Sequence, residues 1–298
     1  MTTVGPVLPA NLPRLPALEC AGHSLDLTRP VIMGVINATP DSFFDGGTLY
    51  RGSRLDLDRA VARAREMVSA GAAILDIGGE STRPGAQAVS PDEEMARVLP
   101  LVERIALELP VVISVDTSTP QLMSAAAAAG AGLLNDVRAL TREGALEAAA
   151  SSGLPICLMH MQGEPGSMQV APQYADVVNQ VREFLLDRVA ACERLGIVRE
   201  RLLLDPGFGF GKSVTHNMQL LQGLPQLAAM GFPLLVGLSR KSIIGKLLGR
   251  DVEERLPASL ALAVMAVERG ARVIRTHDVA ATADAVAMWA ALQELGNV

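Results

Sequence analysis

Aromatic side chains are nearly missing from this sequence: one Trp, two Tyr and six Phe among 298 residues. Its core must be built from aliphatic side chains and Ala, which suits closely packed helices around a sheet. Cysteine is equally scarce. Cys20, Cys157 and Cys192 are too widely spaced for a metal or redox motif and read as reduced thiols. Basic clusters are absent and the formal net charge is −6, which argues against nucleic acid as a main partner and leaves any anionic substrate to a few local cations. No apolar run reaches bilayer-spanning length. The N-terminus has early prolines but no basic-then-apolar export pattern, so the expected location is the cytoplasm. A Ser-His-Asp order, a His-rich zinc spacing and a cysteine with an obvious catalytic partner are all missing, which disfavours hydrolysis by a nucleophilic side chain.

What is present is repetition. Strand-like runs recur at 31–37, 73–78, 111–117, 132–137, 155–161, 201–206, 233–239 and 272–277. Helical patterns fill the gaps. Leu57, Ala60, Val61, Ala64, Met67 and Val68 share one face, stopped at Gly71. Ser90-Pro91-Asp92-Glu93 has the form of a capping box, opening a stripe from Met95 to Leu109 that Pro100 should kink. Thr119-Pro120 starts an Ala-rich helix, Val177 to Cys192 forms a long amphipathic one, and 256–269 and 282–295 are apolar helices. Eight strand-then-helix units predict the α/β class and a single (β/α)8 barrel, with a doubly wound sheet as the runner-up. Leu18–Cys20 and Ser24–Leu27 predict a small hairpin before it. The expected division is a flexible, Pro-rich segment at 1–17 and one domain over 18–298.

The run Leu202-Leu203-Leu204-Asp205 ends on a carboxylate, and Pro206-Gly207-Phe208-Gly209-Phe210-Gly211-Lys212 follows. Neither the Walker spacing nor the dinucleotide-binding spacing fits that loop. Most other runs also end on polar groups: Asn37, Asp76, Asp116, Asn135 with Asp136, His160, Ser239-Arg240-Lys241, and Arg275 with His277. In a barrel the site lies at this end of the strands, and so many buried polar groups there are costly unless a ligand or water satisfies them. Asp116, Asn135 and Asp205 suit a flat heterocycle rich in N–H donors. Lys241, Arg275 and His277 suit phosphate oxygens or a carboxylate. Displacement of a phosphate-type leaving group, with Mg²⁺ as a possible aid, is the chemistry favoured. The loops following the first two strands, rich in Gly and Pro with Asp, Ser and Arg, read as lids.

The ordered set Asn-x-Thr-Pro-Asp-Ser-Phe from Asn37, Asp-Ile-Gly-Gly-Glu-Ser-Thr-Arg-Pro-Gly from Asp76, Asn135-Asp136, Leu158-Met-His-Met-Gln-Gly, the Asp205 loop, Ser239-Arg-Lys and Arg275-x-His277 closely resembles dihydropteroate synthase. The resemblance implies a homodimeric (β/α)8 enzyme joining 6-hydroxymethyl-7,8-dihydropterin diphosphate to 4-aminobenzoate, with sulfonamides competing for the second substrate. It implies that Asp116, Asn135, Asp205 and Lys241 hold the pterin, with Val137 and Met159 lining its slot. Asn37, Arg275 and His277 match diphosphate and Mg²⁺ positions, and Thr82 and Arg83 add anion contacts. Phe43, Pro84, Phe210 and Ser239 match the aminobenzoate pocket, whose loop Gly209 shapes. Asp116, Asp205, Lys241, Arg275 and His277 form its catalytic set. Phe44 and Ala73 depart from the pattern without removing a ligand. Two other readings share the pterin acids: a methyltetrahydrofolate-binding methyltransferase domain, and a silent paralogue that binds pterin without condensing it.

Overall fold

The computed structural model describes residues 15, 17–39, 50–51, 54–81, 89–163, 168 and 171–295. Eight strands lie at the predicted runs: β1 Val31–Asn37, β2 Ala72–Gly78, β3 Val112–Asp116, β4 Leu133–Asp136, β5 Ile156–Met159, β6 Leu202–Asp205, β7 Leu234–Gly237 and β8 Ala271–Thr276. Each pairs in parallel with its sequence neighbours, and β8 closes on β1, Val273 beside Val31 and Thr276 beside Gly34. That closure removes the doubly wound alternative.

Around the barrel run α1 Leu57–Ser69, α2 Pro91–Glu108, α3 Pro120–Ala128, α4 Ala145–Ser152, α5 Val177–Arg194, α6 Val214–Gln222, α7 Leu256–Glu268 and α8 Val279–Leu295. Their apolar stripes seal the outer core against the strands. Ser90 caps α2 by accepting the Glu93 amide at 3.2 Å, while the Glu93 carboxylate turns to Arg97, so half of the predicted box forms. Pro100 lies inside α2 without ending it. Helix α8 begins three residues before the predicted Thr282, because the Asp278 carbonyl already accepts the Thr282 amide (3.0 Å) and hydroxyl (2.7 Å). Short helices at Leu224–Ala228 and Ser242–Leu248 were not anticipated. Among the described residues no helix is long and apolar enough to cross a membrane.

The predicted hairpin exists, but its second strand is His23–Leu25 rather than Ser24–Leu27. Ala21 and Gly22 both have positive φ (47° and 88°), making a two-residue turn whose twist suits a hairpin. Leu18, Cys20 and Leu25, with Leu27 just beyond, close the foot of the barrel against Met33, Ile74, Leu203 and Val273. The foot is thereby filled with apolar side chains, which leaves the polar strand ends at the opposite mouth. Leu27→Ala should lower stability by about 2–5 kcal/mol through the cavity it leaves while KM values stay at wild type. Denaturant melts and steady-state kinetics check both halves, and a raised KM would show that the foot communicates with the mouth. The predicted lead-in, apart from residues 15 and 17, lies outside the described residues.

Candidate active site

Strand parity decides what enters the lumen. On β2, Ile74 joins the apolar foot, and Asp76, two residues on, is fully buried at mid-height. Arg275 of β8 donates from Nε to Asp76 Oδ2 at 2.6 Å and from Nη2 to Asp116 Oδ2 at 3.1 Å. Asp76 also accepts the Ser114 hydroxyl at 2.6 Å and the Asn135 amide at 3.2 Å. Asp76 is thus the hub of a cluster drawn from β2, β3, β4 and β8. Burial, then the neighbouring Asp76, push Asp116 up to about 8, with Arg275 opposing. Burial works against the Arg275 charge, but Asp76 and Asp116 outweigh it and hold its pKa above the usual arginine value. The resemblance assigned Asp76 no role. Its signal in the sequence was an acid inside an apolar strand, at the inward parity.

Across the lumen, Asp205 ends β6 and accepts the Gly207 amide at 2.7 Å. Lys241 donates to the Phe208 carbonyl, and its ammonium stands 4.7 Å over the Phe210 ring. Burial raises the Asp205 pKa against the pull of Lys241, and burial lowers Lys241 to about 8 against the pull of Asp205. The Gly209 amide donates to Asn217 Oδ1 at 2.7 Å, so a buried Asn at the start of α6 helps shape the loop. Met159 and Val137, ending β5 and following β4, are buried beside these groups' strands.

At the third corner the Ser239 hydroxyl accepts the His277 amide at 3.2 Å and lies 3.1 Å from its Nδ1. Arg240 between Ser239 and Lys241 is consumed structurally. It adopts φ +53° and forks onto Asp278 at 2.7 and 2.8 Å, with the Val252 carbonyl at 2.9 Å. Asn37 ends β1 in register with Gly78 of β2. Asp136 caps its own turn, accepting the amides of Arg138 (2.8 Å) and Leu140 (2.7 Å) and the Ser118 hydroxyl. The structure therefore unites Asp116, Asn135, Asp205, Lys241, Arg275, His277 and Ser239 at one mouth and assigns Asp136 and Arg240 to the frame. Thr82, Arg83, Pro84 and Phe43 lie outside the described residues, as do the first loop's 40–49 and the second's 82–88.

Several polar groups were not anticipated as partners. Glu80 pairs with Arg138 at 3.0 and 3.3 Å, beside a buried Glu94 that accepts the Thr119 hydroxyl at 2.6 Å. His160 follows β5, its Nδ1 2.9 Å from the Lys212 ammonium and its ring edge-on to Phe184. A lysine donor makes Nδ1 the acceptor and places the imidazole proton on Nε2. Burial, then Lys212, push His160 down from 6.5 to about 3. The unfolded chain takes up that proton first, so stability is whole above about pH 6.5 and is lost as the pH falls toward 3. His160→Gln should flatten part of the acid-side fall in melting midpoint. An unchanged acid limb would assign that fall to other groups.

Among the described residues no three His, Cys, Asp or Glu side chains converge as a metal cluster. The oxygens gathered at the mouth suit flat N–H donors, and the cations suit an anion. A pterin carrying a diphosphate meets both demands.

Comparison with known proteins agrees. Residues 33–277 match the family model described as pterin binding enzyme. The chain is 54% identical to the dihydropteroate synthase of Escherichia coli K12 over 269 residues, covering 90% of this chain and 94% of that one. It is similar to a Yersinia pestis dihydropteroate synthase solved with a sulfonamide drug complex, at TM-score 0.90 and 49% identity over 93% of this chain and 99% of that one. A Xanthomonas albilineans dihydropteroate synthase in complex with 7,8-dihydropteroate gives TM-score 0.83 and 48% identity over 93% and 99%. With the closed barrel and this mouth, such likeness over nearly the whole length means that the chain belongs to the dihydropteroate synthase family of pterin-binding enzymes.

Proposed function

We infer that the chain condenses 6-hydroxymethyl-7,8-dihydropterin diphosphate with 4-aminobenzoate, giving 7,8-dihydropteroate and pyrophosphate in folate biosynthesis. The observation that carries this reading is the juxtaposition, at one barrel mouth, of Asp116, Asn135, Asp205 and Lys241 with Arg275 and His277. The carboxylates and amide accept from the pterin ring's N–H groups. Lys241 donates to its acceptors, and Val137 and Met159 line the slot. Arg275, whose guanidinium is shared between Asp76 and Asp116, and His277 draw the diphosphate.

The reaction breaks the C–O bond between the pterin methylene and the diphosphate and forms a C–N bond to the arylamine, which loses a proton. An arylamine is a modest nucleophile, so the leverage lies in helping the leaving group depart. Arg275 and His277 meet the charge that grows on it, and Asp116 and Asp205 hold the developing pterin cation. This order, departure before attack, is the dissociative mechanism. Phe210, Ser239 and Gly209 border the side from which the amine approaches, and Thr82, Arg83, Pro84 and Phe43 join the site on the resemblance alone. Mg²⁺ fits as a companion of the diphosphate, because Asn37 offers one hard oxygen and such ions usually keep phosphate and water as their other ligands. When bound it would neutralise diphosphate oxygens. A homodimer through α7 and α8, where Met265, Met288 and Leu292 are exposed, and a cytoplasmic location complete the reading.

The test follows pyrophosphate and pteroate together, with and without 4-aminobenzoate. Both products should appear together, stop on chelation and resume with Mg²⁺. Positional isotope exchange in the labelled diphosphate without the amine supports departure first, and its complete absence counts against it. Pterin binding with no release under any condition would replace this reading with the silent paralogue.

A further inference from the structure

Lys212 has no part in the chemistry above, yet its side chain is 3% exposed and its ammonium is fully engaged. It donates to the Gly207 carbonyl (2.8 Å), the Phe210 carbonyl (3.0 Å) and His160 Nδ1 (2.9 Å), with the His160 carbonyl at 3.4 Å. An ammonium has three protons, so these near acceptors saturate it. Burying such a charge is costly unless every donor is met, and here the acceptors come from two different strand ends.

The acceptors are in place because the loop is bent around the ammonium. Gly207 and Gly211 take φ of +69° and +61°, and a Cβ at either would stand 1.8 Å from the His160 carbonyl or 2.4 Å from the Gln162 carbonyl. The carbonyls of Gly207 and Phe210 turn to Lys212, whereas the Phe208 carbonyl between them turns to Lys241. The loop is gripped from both sides. Other ties are the Gly207 amide to Asp205 Oδ1, the Gly209 amide to Asn217 Oδ1 at 2.7 Å, the Phe210 amide to the Gly207 carbonyl at 3.1 Å and the Tyr174 hydroxyl to the Gly211 carbonyl at 2.9 Å.

We propose that Lys212, seated on His160, is a positioning residue that holds the Gly207–Gly211 loop so that the Phe208 carbonyl and Phe210 ring meet Lys241 beside Asp205. It touches neither substrate. The proposal rests on the reading that Phe210 borders the aminobenzoate and that Asp205 and Lys241 hold the pterin.

The experiment compares the full-length enzyme with Lys212→Met, His160→Gln, His160→Leu and Phe210→Ala. Two readouts are taken: steady-state kinetics, and hydrogen–deuterium exchange of the Gly207, Gly209 and Phe210 amides. Lys212→Met should raise KM for 4-aminobenzoate about tenfold or more, lower kcat by no more than about threefold, and speed loop exchange about tenfold. A lysine that merely supported the fold would lower the melting midpoint without this split. His160→Gln, whose amide oxygen can accept from Lys212, should stay within about twofold of wild type, while His160→Leu follows Lys212→Met. If Lys212→Met does not fold, the contrast between the two His160 variants decides. Unchanged loop exchange in Lys212→Met, or Gln and Leu equally impaired at 160, overturns the proposal. Phe210→Ala with a wild-type KM, while Lys212→Met loosens the loop, overturns the aminobenzoate assignment and leaves the positioning role standing. A raised KM in Phe210→Ala with no change in Lys212→Met overturns the positioning role alone.

Discussion

Arg275→Met is expected to lose both turnover and stability, for separable reasons. The guanidinium neutralises Asp76, which is fully buried, and Asp116 beside it. Removing the cation leaves buried Asp76 without its charge partner and drives Asp116, already pushed up to about 8, further toward its neutral form, a loss of about 3–5 kcal/mol in stability. The same change removes the cation proposed for the departing diphosphate, so kcat/KM should fall by about 10³ or more. Adding Asp76→Asn should restore much of the stability. The Asn oxygen can accept the Asn135 amide and its NH₂ can donate to Ser114 Oγ, leaving the hub hydrogen-bonded and uncharged. Turnover should not return. Denaturant melts and kinetics on the single and double variants check this, and recovery of activity with stability would make Arg275 a structural residue only.

Lys241→Met should separate the two effects: abolish most turnover and leave the fold alone. Lys241 donates to the Phe208 carbonyl, and burial already lowers its pKa to about 8, so the folded protein gains little from its charge. Its loss should change stability by less than about 1 kcal/mol, since a buried charge is itself costly to keep. Asp205 loses the Lys241 pull, the largest that opposes burial, and keeps only the Gly207 amide, Arg275 and Lys212 against it, so its pKa rises further. The donor proposed for the pterin is lost and a carboxylate is biased toward its neutral form, so kcat/KM should fall by about 10²–10³. Thermal melts beside the kinetics decide the matter. Melting that collapsed with activity would count against a role confined to the site.

Much of this barrel is legible from residue pattern. Short apolar runs, each followed by a helical stripe, announce eight strand–helix units, because burial on both faces demands continuous aliphatic residues. The polar groups at their ends mark the mouth. The hairpin's register and the start of α8 were less legible, since a two-residue turn with positive φ at Ala21 and a carbonyl–hydroxyl tie between Asp278 and Thr282 are local details that several patterns permit. Asp136 and Arg240 look like site residues in one dimension and prove to be a turn cap and a loop clamp. Lys212 and His160, both visible as polar residues near strand ends, show their partnership only in space.

The sequence by itself determined the class of fold, the end of the barrel that gathers the polar groups and the family of motifs at that end. These follow from periodicity, from strand termini and from residue order. Only the tertiary structure decided which charge meets which. Arg275 and Asp76 are 199 residues apart, as far as chain order is concerned unrelated, and lie 2.6 Å apart across the lumen. Parity states that a side chain points inward, but closure of β8 onto β1 and the stagger of the strands select its partner. In that buried space, pairing rather than residue type sets what each group can do, so Asp76 anchors Arg275, Asp116 shares that cation, and Lys212 reaches the carbonyls of a loop.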